Sequence, residues 1–224
     1  MKQIIKIAPL DIIPHPDGFI VVLPAGKDPR GKLKISFRFL DFKHKRVQNV
    51  TRNFYTEFKF GEAFQEITSQ VKDYITCTVA EGPEGFTNVV FPTGEIGIFD
   101  YLGTLRWTGD LSYHDSPVRG CAPDGDNLWC AVPDQNAVVR YSTHLQRVDF
   151  RIGGAQTTAI GRPMSVEKYD NKLYVCCKNS MNIKEIRLDN YVAADYKKFE
   201  EPVLRYMRTA GLEIVVLESG VYML

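Results

Sequence analysis

Along this chain apolar residues alternate with polar ones or gather into short β-branched runs, and each run is closed by Asp, Asn or Gly. Such runs predict strands, not helices. Three segments share one cadence. Each starts at a proline (Pro117, Pro163 or Pro202), passes through a short strand, and turns at Asp124-Gly125, Asp170-Asn171 or Gly211. Each then enters a second strand at Leu128, Leu173 or Leu212, so that proline and leucine stand 11, 10 and 10 residues apart. Pro9 leads through Asp17-Gly18 to Phe19 with the same interval of 10. A fifth copy lacks the proline: Ile75-Thr76-Cys77-Thr78-Val79 turns at Gly82-Pro83-Glu84-Gly85 into Phe86-Thr87-Asn88-Val89-Val90.

Second strands therefore begin near Phe19, Phe86, Leu128, Leu173 and Leu212, at spacings of 67, 42, 45 and 39 residues. Two further strands follow the second: Ala137 to Tyr141 and Val148 to Ile152 in one repeat, Glu95 to Tyr101 and Thr104 to Thr108 in another. Four short strands per forty-odd residues is the spacing of propeller blades, whereas a sandwich predicts no regular period. The expected fold is all-β: a single β-propeller of about five four-stranded blades, near 9–54, 75–113, 114–161, 162–201 and 202–224. The last repeat runs out at its third strand, Gly220 to Leu224, and the segment Lys2 to Ala8 is a strand with no repeat of its own. Pairing the two would close the ring and remove an open edge.

The segments Pro163 to Asp189 and Ile75 to Trp107 carry a turn before an apolar strand (Leu173-Tyr174-Val175), a strand ending near an Asp (Asp100), then a Gly (Gly103) and a final strand. This rhythm resembles that of NHL-type propeller repeats. At the position of that family's usual Asp after the second strand stand Cys177-Lys178-Asn179 and Phe91-Pro92-Thr93. The resemblance implies a propeller, and propellers of this kind bind proteins, nucleic acids or glycans, with some hydrolases and lyases among them.

Two departures from the period stand out. The 67-residue spacing contains an insertion over 55–72, where Phe64, Ile67 and Val71, with Tyr74 just beyond, recur at helical intervals while Glu62, Glu66 and Lys72 lie off that stripe. This predicts a short amphipathic helix that either covers a blade or docks a partner. The other departure is charge. The whole chain carries a formal +1, yet residues 27–52 hold nine basic side chains against Asp28 and Asp41, a local +7 that leaves −6 elsewhere. There Leu33, Ile35, Phe37 and Phe39 alternate with Lys32, Lys34, Ser36 and Arg38, and Lys43, Lys45 and Arg46 follow. A strand of this kind buries one face and turns a basic face outward. That hairpin is a candidate surface for an acidic protein, phosphate or nucleic acid, or a solvated outer edge charged against pairing.

No nucleophile elbow, phosphate loop, zinc signature or dinucleotide fingerprint occurs, so the sequence calls for no cofactor, no metal and no catalytic residue. Cys77, Cys121, Cys130, Cys176 and Cys177 lack metal-ligand spacing and read as buried thiols of a reducing compartment. His15, His44, His114 and His144 are scattered in loops or turns, His114-Asp115 being the most site-like pair. A propeller glycosidase would set carboxylates around its funnel. The inner-strand acids here (Asp11, Glu81, Asp115 and Glu167) occupy unequal repeat positions, and Arg119 and Arg205 accompany them. Trp107 and Trp129 also fall on different strands, against one sugar pocket per blade. No window approaches the roughly 18 apolar residues of a membrane span, and the opening segment has too short an apolar run for a signal peptide. The expected function is a non-catalytic module that binds protein or joins a larger assembly, in the cytoplasm or in a virus or phage particle. A carbohydrate-binding or carbohydrate-cleaving propeller is the alternative.

Overall fold

The computed structural model describes residues 1–9, 11–15, 17–27, 29, 33–43, 46–50, 78–90, 94–156, 159–209 and 211–224. The expected helix over 55–72, with Phe64, Ile67 and Val71, and the candidate residues Lys32 and Lys45 lie outside the described residues. Two units divide the chain: residues 1–76 with 208–224, and residues 77–207.

In the first unit β1 (Lys2–Ile5) is followed by a sheet of four strands in chain order: β2 (Asp11–His15), β3 (Gly18–Lys27), β4 (Leu33–Asp41) and β5 (Arg46–Val50). The run Phe19-Ile20-Val21-Val22-Leu23 on β3 is buried throughout, so both faces of that strand are covered. Such a strand needs an unbroken apolar run and not an alternation.

The second unit repeats the same sheet three times, each antiparallel and each in chain order. The first comprises β6 (Thr78–Glu81), β7 (Thr87–Val90), β8 (Glu95–Phe99) and β9 (Leu105–Asp110). A small hairpin, β10 (Ser112–Tyr113) and β11 (Ser116–Pro117), leads to β12 (Arg119–Asp124), β13 (Asn127–Val132), β14 (Ala137–Ser142) and β15 (Arg147–Gly153). The third is β16 (Pro163–Tyr169), β17 (Lys172–Cys177), β18 (Asn182–Arg187) and β19 (Ala193–Lys198). Then come β20 (Val203–Thr209), β21 (Leu212–Leu217) and β22 (Gly220–Met223), and β1 pairs antiparallel with β22, Lys2 opposite Met223 and Ile5 opposite Val221. Five four-stranded sheets thus occur among the described residues, the last in the order β1-β22-β21-β20.

The second strands start within one residue of the positions set by the period. The orphan strand is shorter than expected, ending at Ile5 and not Ala8. Another expected strand ran to Tyr101, whereas β8 stops at Phe99 because the Asp100 carboxylate captures backbone N–H groups and starts a turn.

Packing between sheets follows the two-residue period of strands. On β13, Leu128, Cys130 and Val132 enter one core with Ala80, Val90 and Ile96 of the preceding sheet. Trp129 points the other way, joining Val166, Leu173, Val175 and Cys177 of the following sheet. Cys177 is thus on the face opposite its neighbour Cys176, as adjacent strand residues must be, and both are fully buried. The first strands gather, with β12 lying against both β6 and β16. Burial then rises to a maximum in the second and third strands and falls away in the fourth, so that β9, β15 and β19 are the exposed ones.

Candidate functional site

The turns joining third to fourth strands are built by side-chain capture of the backbone. Asp100 Oδ1 accepts the N–H groups of Leu102 and Thr104, each at 2.9 Å, and its Oδ2 meets the Arg106 guanidinium. The Thr104 N–H above all, then the Arg106 side chain and the Leu102 N–H, hold the Asp100 carboxyl below the usual carboxylate range against the opposing effect of burial. The next sheet uses Ser142, whose Oγ accepts the Leu145 N–H, and the third uses Asn190, whose Oδ1 accepts the Val192 N–H. A short polar side chain closing its own loop frees the loop tip from any sequence demand for polarity.

Asp100 also yields a pH prediction. A carboxylate with a depressed native pKa stabilises the fold fully above its ordinary value, about 3.9. That contribution disappears as pH falls through the lower folded-state value. Asp100→Asn should lower the melting temperature at neutral pH and flatten the acid side of the curve. Thermal melts from acid to neutral pH check it, and parallel curves for native and variant chains would overturn it.

The tips so released are apolar and exposed. Tyr101 and Leu102 are 76% and 72% exposed, Leu145 50% and Val192 57%, and Tyr191 is exposed beside Val192. Three contacts show that they share one end of the second unit. Thr143, buried in the second of these turns, donates its hydroxyl to the Glu81 carbonyl of the preceding sheet at 2.8 Å. Tyr191 reaches back to Phe150 of that second sheet, ring centroids 4.5 Å apart. Tyr101 lies over Gly85 in the first-to-second-strand turn of its own sheet. The result is a row of apolar tips along three successive sheets.

The candidate residues from the sequence fall elsewhere. Arg38, opposite Val21 in the β3–β4 register, and Lys43 are both exposed, and the Lys43 N–H donates to Asp41 Oδ1. Lys34 stands on β4 and Arg46 on β5, opposite Asp41. Beyond Arg38 on the same face Leu40 is buried, so the basic face does not run the length of β4.

Of the inner-strand acids, Glu167 faces the Arg205 guanidinium at 3.5 Å, so these opposite charges pair across neighbouring first strands. Asp115 is not on a strand: His114 and Asp115 form the two-residue loop between β10 and β11, at φ 47° and 58°. Positive φ at both positions is the geometry of a hairpin turn that Asn and Gly usually fill. Trp107 is exposed on β9 while Trp129 is buried on β13, so the two tryptophans do not occupy equivalent positions of the repeat. Among the described residues no group of three His, Cys, Asp or Glu could hold a metal ion. No helix among them is long and apolar enough to cross a membrane.

No protein-family model matches the chain, and no curated protein is similar to it in sequence. Among solved structures it is similar to Saccharomyces cerevisiae Sqt1, with a TM-score of 0.52 and 10% identity over 95% of this chain and 70% of that one. The WD40 repeats of RRP9 resemble it at a TM-score of 0.47 and 8% identity, covering 96% of this chain and 58% of that one. Staphylococcus aureus virginiamycin B lyase does so at 0.48 and 12%, covering 93% and 66%. At such identities the likeness is one of fold. Together with the repeating four-stranded sheets, it defines the class as β-propeller.

Proposed function

We propose that this chain is a non-catalytic, five-bladed propeller whose ring closes through the β1–β22 pairing, and that it works as a protein-binding module. The observation that carries the reading is the row of exposed apolar tips: Tyr101, Leu102, Leu145, Tyr191 and Val192. Apolar and aromatic side chains grouped on one end of a scaffold suit a protein surface, where burying Tyr and Leu supplies the main driving force. Among the described residues a catalytic reading has no comparable constellation behind it, since Glu167 on one inner strand is paired with Arg205 on the next.

Tyr101→Ser with Leu102→Ser tests the surface, because both side chains are mostly exposed and their loss leaves the Asp100 turn intact. Affinity capture from the native source, followed by mass spectrometry, should recover a stoichiometric protein with the native chain and at least tenfold less with the variant. Equal recovery would retire the tips. Loss that follows Lys34→Ser and Arg38→Ser, with steep salt dependence, would move the contact to the basic hairpin instead.

A further inference from the structure

Two thiols that the proposed function does not use face each other across one sheet. Cys121 on β12 and Cys130 on β13 are direct register partners, the pair next to a register shift between Arg119 and Cys121. Opposed residues of an antiparallel pair put their side chains on the same face, and both cysteines do pack into the same core. Cys130 is fully buried, its Sγ directed at the Leu128 carbonyl, while Cys121 keeps partial contact with solvent. Burial first, and the Cys121 side chain second, push the Cys130 thiol well above its usual range.

The geometry is close to that of a disulfide. Cα atoms of opposed antiparallel residues are about 4.5–5.5 Å apart, inside the roughly 4.4–6.8 Å that disulfides span. Their Cβ atoms, at about 4.5–5.5 Å, need to close to about 3.8 Å. The irregularity beside Cys121 supplies compliance for that movement: Gly120 sits there at φ +60°, a conformation that a bulge glycine adopts without penalty.

We propose that Cys121 and Cys130 are a redox pair, joined into a cross-strand disulfide by hydrogen peroxide or a like two-electron oxidant and separated again by dithiols. The partly exposed Cys121 reacts first. Its sulfur attacks one peroxide oxygen, the O–O bond breaks, and Cys121 becomes a sulfenic acid as the departing hydroxide takes up the Cys121 thiol proton and leaves as water. Cys130 sulfur then attacks the Cys121 sulfur, the S–O bond breaks, and the Cys130 proton departs with the hydroxyl as water. Two thiols are oxidised and one peroxide is reduced to two waters. Drawing opposed strand positions together into the bond leaves it strained, and strained disulfides are the readily reduced ones.

One peptide reads the outcome. Cleavage after Arg119 and Arg140 releases Gly120 to Arg140, which contains both thiols and no other cysteine. The full chain is treated with peroxide, unreacted thiols are alkylated under native and then denaturing conditions, and the peptide is weighed without reduction. The expected result is a peptide lighter by two hydrogens, alkylated at neither cysteine and restored by dithiothreitol. Cys121→Ser should leave Cys130 as an alkylatable thiol, and Cys130→Ser should leave Cys121 as a sulfenic acid that dimedone traps. Should Cys130→Ser fail to fold, the Cys121→Ser result and the native peptide still decide. Over-oxidised Cys121 with Cys130 untouched, a link from either residue to Cys77, Cys176 or Cys177, or two unreacted thiols would each overturn the proposal.

Discussion

Trp129→Ala should cost about 3–5 kcal/mol, the range for removing a buried aromatic side chain from a core, and lower the melting temperature by roughly 6–20 °C in a chain of this length. Trp129 is 1% exposed, among the largest side chains buried in the protein, and it fills the space between two successive sheets. Its neighbours are held by directional contacts and cannot easily collapse into the gap. The indole N–H donates to Asp124 at 2.9 Å, and Asp124 also pairs with Lys168 of the next sheet. Phe150 meets the indole edge-on at 6.1 Å. Above both rings lies the Arg140 guanidinium, fixed by two hydrogen bonds to Asp149. Trp129→Phe separates volume from polarity: it keeps most of the ring and removes one hydrogen bond, for about 1 kcal/mol. Calorimetry of both variants is the check. A fall of less than about 3 °C for Trp129→Ala would show that the two sheets do not depend on this side chain.

Removing β1 should have the second large effect. Ile5 is buried and faces Val221, so deleting residues 1–8 forfeits about 1.5–3 kcal/mol of apolar burial and bares the edge of β22. Gly220 shows how closely that strand fits. At φ +145° a β-carbon on residue 220 would collide with the Ile5 carbonyl oxygen and crowd Ile7 N at 3.2 Å. Gly220→Ala is therefore expected to destabilise the full chain strongly. In the chain lacking residues 1–8 the collision is gone, and only the backbone strain of about 1–3 kcal/mol persists. This non-additivity is the signature of contact between the two sites. Equal costs in both backgrounds, or an unchanged melt on truncation, would count against the proposed ring closure.

Much of the architecture is legible in the sequence because a strand covered on both faces must be apolar without interruption. Phe19 to Leu23, Leu128 to Val132 and Leu173 to Cys177 are such runs, and their even spacing exposes the repeat. Fourth strands are harder to read. Ala193 to Lys198 is an outer strand whose residues are mostly exposed, so no burial demand shapes its pattern. The apolar tips escaped for a related reason. Tyr101 extends an apolar run and reads as strand, yet the Asp100 carboxylate starts a turn and the strand ends two residues earlier, at Phe99. A Tyr-Leu or Tyr-Val pair directly after Asp or Asn was the available signal. Nor could pattern alone show that Cys121 and Cys130 oppose one another. Their register depends on the irregularity at Gly120, which breaks the strict pairing of β12 with β13.

Thr143 has a consequence for the proposed binding surface as well as for the fold. Its hydroxyl links the Asp126 and Glu81 carbonyls, one from its own sheet and one from the preceding sheet. Tyr191 on Phe150 makes a comparable tie to the third sheet. The spacing between successive tips is thereby fixed before any partner arrives. A partner laid across them meets a ruler and not a set of independent fingers, and little configurational freedom remains on this side to be lost on docking. Substitutions at Thr143 should therefore weaken contacts that span two tips more than contacts made at one.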